Sequence, residues 1–309
     1  MNIIVWLILC LIWGSTWVFI KIGLQDLPPL TFAAARFILA VSILACIIFL
    51  QKIPLPKTAK EWKLIALTGV LQFSINYSLV FWSEQYISSG LAAVLQAMIT
   101  VFGLALAWIF LPDERITKLK IFAVLLGIIG VATIFIEQLK INNWMAFMGC
   151  VAIVVGAYAA AQASILIKAR GGKIHPASLS FCQMACGVLP VIIYALVKEG
   201  NPLEFNWTWR AVGCILYLTI LGTIAAFWLY YWLLNKIEST KAMMISLVTP
   251  LLAVVIGAIF LGEKLLPQTF FGGVLILLSI GLIVFRRKIK GIETQRRGDA
   301  DENEKLITE

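Results

Sequence analysis

The chain has 309 residues, 61% of them hydrophobic and 13% charged, with a net charge of +9. Soluble domains carry about 25% charged residues and far fewer apolar ones, so this composition excludes a water-soluble protein and leaves no stretch for a soluble domain.

Apolar runs near 20 residues, the length that spans about 30 Å of hydrocarbon, recur at 3–24, 30–50, 63–83, 88–111, 118–136, 144–168, 177–198, 210–234, 241–261 and 268–286. A transmembrane β-barrel needs short segments that alternate apolar and polar residues. These runs are continuously apolar and longer, so the expected fold is all-α with ten transmembrane helices. The first run starts at Ile3 with no basic region ahead of it and no small-residue cleavage site, and it reads as a retained span. Cys10, Cys46, Cys150, Cys182, Cys186 and Cys214 lie in or beside spans. Their spacing suggests neither disulfides nor zinc, so they read as packing residues.

Lysine and arginine in short loops set orientation. With the N-terminus inside, nineteen of the 25 basic residues fall on the cytoplasmic side: those in loops 51–63, 112–120, 168–173 and 236–241 and seven in the C-terminal tail. Both termini are therefore expected in the cytoplasm of a plasma or inner membrane. The same asymmetry accounts for the net charge through attraction to anionic lipid, without nucleic-acid binding.

The sequence repeats itself. Lys21 to Pro29 matches Lys168 to Pro176, 147 residues later, and the run from Phe110 to Arg115 resembles that from Phe260 to Lys264 with one gap. Each half holds five spans, and an odd number forces the second copy to enter from the opposite side. The expected organisation is an inverted pair, 1–137 and 138–286, followed by a disordered cytoplasmic tail, 287–309. Inverted repeats are typical of secondary transporters, which hold substrate near the midplane between the halves.

The opening Ile12, Trp13, Gly14, Ser15, Thr16, Trp17, then Lys21, Pro28, Pro29 and the run Phe32 to Phe37, resembles the EamA family of the drug/metabolite transporter superfamily. So do Ser89 to Ala93 with Phe110 to Glu114, and Thr249, Pro250, Leu251 with Phe260 to Lys264. The resemblance covers roughly 3 to 286 and implies a ten-helix carrier with cytoplasmic termini that exports amino acids, other metabolites or drugs. Thr100 stands where the family often has a proline, at the place Pro250 holds in the second half, which argues against a matching kink in span four.

Polar residues at the centre of a span require a reason. Thr68, Gln72 and Asn76 make one stripe in span three, Gln96 and Thr100 share a face in span four, and Tyr158 with Gln162 repeats the spacing in span six. Thr219 and Thr223 in span eight and Ser246 with Thr249 in span nine add two more pairs. Serine and threonine commonly bridge helices, whereas a buried amide brings up to four hydrogen-bonding sites that neighbouring helices seldom all satisfy. Trp13, Trp17, Tyr77 and Trp228 are candidate cavity walls; Trp82, Trp207, Trp209 and Trp232 suit an interfacial belt. Lys21 and Arg36 are the two basic residues inside spans: each either snorkels or pairs with Asp26, or offers a cationic point for a carboxylate substrate. Position 183 replaces Arg36 by glutamine in the second half. Gly127, Gly130, Gly272 and Gly273 read as close helix contacts, and Gly14 with Ser15 as a place that permits span one to bend during the change of access.

No aspartate or glutamate lies mid-span; Asp26, Glu84 and Glu137 sit at or beyond outer ends. Facilitated diffusion or exchange is therefore expected rather than proton coupling. The lone histidine, His175, falls in a cytoplasmic loop, with no carboxylate pair in a span and no P-loop, which disfavours an integral-membrane enzyme or an ATPase. The expected function is a secondary transporter of a small metabolite, an amino acid or related amphipathic compound. The alternatives are a drug or nucleotide-sugar carrier of the same superfamily, or a membrane enzyme or sensor. No cofactor is expected; the partners are substrate and membrane lipid, and nothing in the sequence sets an oligomeric state.

Overall fold

The computed structural model of the chain describes residues 1–87, 89–114, 116–134, 136, 143–172, 174–261 and 267–282. The proposed tail, Glu137 and the Glu263, Lys264 pair lie outside these residues.

Helix covers the described residues of the ten predicted spans except Leu24, Ala97, Leu111 and Met244. They are α1 (Asn2–Gly23), α2 (Pro29–Gln51), α3 (Ala59–Ser83), α4 (89–110), α5 (Lys118–Ile134), α6 (Trp144–Arg170), α7 (Pro176–Lys198), α8 (Trp209–Lys236), α9 (239–261) and α10 (Pro267–Leu282). Among the described residues there is no strand. Six of these helices, α1, α2, α3, α6, α7 and α8, are long and apolar enough to cross a membrane. Large apolar side chains such as Leu11, Ile38, Trp108, Phe122, Val155, Ile193 and Leu277 point outward, as lipid-facing residues do in a multi-pass membrane protein.

Local chemistry sets the helix ends. Proline at the first position opens α2 and α7, where its missing N–H costs nothing. Thr58 and Glu61 form a capping box on α3, and Asn143 and Thr208 cap α6 and α8. Exposed His175 caps α7, its Nδ1 accepting from the Ala177 amide at 3.3 Å. Carboxylates from distant segments cap further ends. Glu199 accepts from the amides of Leu30 and Thr31 at 2.8 and 2.7 Å. Asp26 accepts from Thr208 Oγ1 at 2.7 Å and from Arg210 Nε at 2.9 Å. Hydrogen bonds from Arg210 and Thr208 hold the Asp26 carboxyl down at about 2.

The two halves exchange roles. α2 packs on its counterpart α7, α1 packs on α9, and the equivalent pair α6 packs on α4. α4 breaks at Ala97 and α9 at Met244, 147 residues on, and at both breaks an amide reaches back three residues: Thr100 to Ala97 at 3.1 Å and Leu247 to Met244 at 3.0 Å. Span four thus has a matching irregularity without the proline, and Pro250 lies within the unbroken stretch Ile245–Leu261. α3 and α8 each widen into a π-helical turn, Val70–Asn76 and Ile220–Ala225. The fold is all-α, two inverted five-helix repeats with discontinuous helices at corresponding positions.

Close glycines set the spacing between helices. Gly130 of α5 and Gly272 of α10 face one another so that a Cβ on either would meet the other's carbonyl oxygen at 2.8 or 2.5 Å. A Cβ on Gly14 would lie 2.8 Å from Leu252 Cβ, and α1 runs unbroken through it. Gly14 therefore packs α1 against α9 and marks no bend in this structure.

One carboxyl just beyond α3 is out of its usual range. Burial raises Glu84 to about 7, only partly offset by the nearby Lys21 charge, and its Oε1 has no hydrogen-bond partner. A carboxyl with a raised folded pKa binds more protons folded than unfolded, so its ionisation lowers stability as pH rises from about 4.5 through about 7. Glu84→Gln should melt higher than the parent at pH 8, with the difference shrinking toward pH 5. An equal difference at both values would refute the assignment.

Candidate functional site

Where the two repeats meet, side chains from α1, α2, α3, α4, α6, α8 and α9 line a cavity of about 150 Å³. α3 brings Gln72, Asn76 and Tyr77, the first two within its π-helical turn. α1 contributes Trp13 and Trp17, α4 contributes Gln96, and α9 contributes Ser246 and Thr249. The amides pair across helices, Gln96 Nε2 donating to Asn76 Oδ1 at 3.2 Å. Phe227 and Tyr230 of α8 stand edge-on or tilted against Trp13, with ring centres 5.7 and 5.3 Å away. The Tyr230 hydroxyl donates to Ser164 Oγ at 3.1 Å.

Arg36 of α2 completes the wall and is 2% exposed. Its position follows from the π-helical turn of α8. Arg36 Nε donates to Thr223 Oγ1 at 2.7 Å and Nη2 donates to the Gly222 carbonyl at 3.2 Å. Thr219 Oγ1 donates to the Arg36 carbonyl at 3.1 Å. The guanidinium carbon lies 5.1 Å from the Tyr77 ring centre and 5.2 Å from that of Phe37, within cation–π range. Arg36 neither snorkels outward nor meets Asp26, whose partners are Arg210 and Thr208.

The other predicted residues divide. Thr223 orients Arg36 from behind, and Thr100 is buried beside the cavity, donating to the Met243 carbonyl at 3.1 Å and sharing a 2.8 Å hydrogen bond with Ser246 Oγ. Four predicted residues lie away from the cavity. Tyr158 is 43% exposed on the outer side of α6, edge-on to Phe102, and Gln162, one turn along, is likewise absent from the cavity wall. Trp228 packs near His175, ring centres 6.0 Å apart, at the end of the bundle that carries the N-terminus. Lys21 is exposed outside the cavity, near Glu84 and not paired with Asp26.

Sequence reasoning missed Phe227, Tyr230, Ala160, Ser164 and Met243. On α8 the wall falls on the face of Phe227 and Tyr230, which lie about 100° and about 160° around the helix from Trp228. On α6 the informative signal is the small-residue run Ala157 to Ser164, because space opens where side chains are short.

Comparison with known proteins agrees with this architecture. The model of the EamA-like transporter family matches residues 1–136 and 147–285. An uncharacterized transporter of Archaeoglobus fulgidus is 30% identical over 291 residues, covering 91% of this chain and 99% of its own. The uncharacterized transporter YoaV of Bacillus subtilis is 26% identical over 282 residues, covering 90% and 96%. The "Probable amino-acid metabolite efflux pump" of Salmonella typhimurium is 26% identical over 294 residues, covering 92% and 95%. A solved crystal structure superposes with a TM-score of 0.78 at 13% identity, over 93% of this chain and 98% of that one, a likeness of fold alone. With a family match spanning both repeats, the chain is a multi-pass membrane protein that belongs to the EamA-like transporter family.

Proposed function

We propose that the chain exports a small amphipathic metabolite, an amino acid or a related compound, through this cavity by alternating access, with both termini in the cytoplasm. The observation that carries the reading is the cavity itself: it lies between the inverted repeats and combines aromatic rings, neutral amides and one cation. Its size bears on the substrate. An apolar protein cavity of about 150 Å³ accommodates benzene, so the space suits a body of one ring or a branched chain. The relative named as an efflux pump and the basic loops on the side of the termini support the direction and orientation.

Cells preloaded with a mixed amino-acid pool test it. One compound should leave faster with the wild type. At matched membrane abundance Gln72→Ala and Asn76→Ala should lose about tenfold of that rate, the value of one lost buried hydrogen bond. Tyr158→Ala, on the outer side, serves as the control. Efflux that survives both amide substitutions would sink the cavity reading. The described helices keep Asp and Glu out of their middle turns, so the rate should also persist when the proton gradient is collapsed.

A further inference from the structure

Arg36 holds more charge than its structural task requires. Its Nε and Nη2 tie α2 to the π-helical turn of α8, while Nη1 is sealed from solvent and has no hydrogen-bond partner. Among the described residues the ion pairs are Lys120–Glu238, Arg210–Asp26 and Lys241–Glu238, so no carboxylate answers the guanidinium. The rings of Tyr77 and Phe37 stabilise a cation through their faces, and the Tyr77 side chain also interacts with the guanidinium as a hydrogen-bonding partner, but neither supplies a negative charge. A buried ion left unpaired is strongly disfavoured.

The inverted repeat supplies an internal control. The position equivalent to Arg36 is Gln183, whose Nε2 donates to Thr68 Oγ1 at 2.6 Å and ties α7 to α3. A neutral amide thus performs the helix-bridging task in the second repeat. The positive charge at 36 is an addition: Arg36 lines the cavity, and its Nη1, covered in this structure, has no hydrogen-bond partner.

We propose that Arg36 is the specificity-determining residue of the transport site: its guanidinium binds the carboxylate head of the substrate and neutralises it. The site then selects monocarboxylates with an apolar or aromatic body over the corresponding neutral amides. The aromatic walls, Trp13, Tyr77, Phe227 and Tyr230, receive the body. This inference rests on the cavity being the transport site.

The test is calorimetric titration of the purified full-length protein in lipid nanodiscs with three pairs of probes: phenylalanine and phenylalaninamide, leucine and leucinamide, 3-phenylpropionate and 3-phenylpropanamide. In at least one pair the carboxylate should bind the wild type about tenfold or more tighter than the amide, the range of a charge-assisted hydrogen bond. Arg36→Gln, which copies the second repeat, should bring that ratio close to one, and Arg36→Lys should retain part of it. Carboxylates and amides bound equally tightly by the wild type would overturn the assignment of Arg36 and leave the cavity reading standing. If no member of any pair binds, the cavity reading falls and the assignment with it. The wild-type ratios decide the question even where a variant fails to fold.

Discussion

Gly187→Ala is expected to destabilise the protein by about 3 kcal/mol, whereas Gly213→Ala leaves it unchanged or slightly more stable. At Gly187 in α7 an added Cβ would run into the Gly69 carbonyl oxygen and stand 2.7 Å from Phe73 Cβ. Gly69 in α3 reciprocates, its Cβ running into the Gln183 carbonyl oxygen. The obstacles are mostly backbone, which cannot rotate aside as a side chain end does, so the two helices must separate. Separation would also break the Gln183–Thr68 hydrogen bond beside them. Gly213 has nothing within 4 Å of its Cβ position, and on an open helix face alanine is the better helix former by about 1 kcal/mol. Thermal unfolding of the purified variants in one detergent separates the cases, and equal melting temperatures would refute the reading of Gly69 and Gly187 as a contact pair.

Much of this fold is written in the order of residues, because in lipid the apolar run and the helix are nearly the same statement. The ten runs and the match between Lys21–Pro29 and Lys168–Pro176 were enough to indicate paired halves. Irregularities inside helices were less accessible. The π-helical turns at 70–76 and 220–225 and the breaks at Ala97 and Met244 come from packing between halves, and no proline marks them. The site was legible where chemistry alone singled out a residue: Gln72, Asn76, Gln96 and Arg36 all line the cavity. It was illegible where the facing direction mattered, because Tyr158 and Ser164 belong to one helix and only tertiary contacts decide which side of α6 is enclosed.

Glu114→Gln combined with Lys168→Met is expected to open the cavity wider toward the end of the bundle that carries the N-terminus. The turn joining α8 to α9 is fastened there from several directions. Lys168 Nζ donates to the carbonyls of Leu234 and Ile237 at 2.6 and 2.8 Å. The Glu114 carboxylate accepts from the Ser239 amide at 2.8 Å and from Ser239 Oγ at 2.6 Å. Glu238 pairs with Lys120 at 3.2 Å and with Lys241 at 3.6 Å, and Trp6 Nε1 donates to the Lys241 carbonyl at 2.9 Å. On the opposite face Lys21, the repeat counterpart of Lys168, is exposed and lies near Glu84. The turn joining α8 to α9 is thus latched to α4 and α6, the kind of contact that alternating access between inverted repeats must break. Each charge-assisted hydrogen bond contributes about 1.5–3 kcal/mol, so losing two such groups shifts the balance between closed and open by more than tenfold. Ala242 is fully buried on the cavity wall just past this turn. A single cysteine placed there, with the six native cysteines replaced, should react with an impermeant maleimide several-fold faster in the double variant when the reagent is applied from the side of the termini. Labelling at the parental rate would show that these contacts merely brace the turn and do not hold the cavity shut.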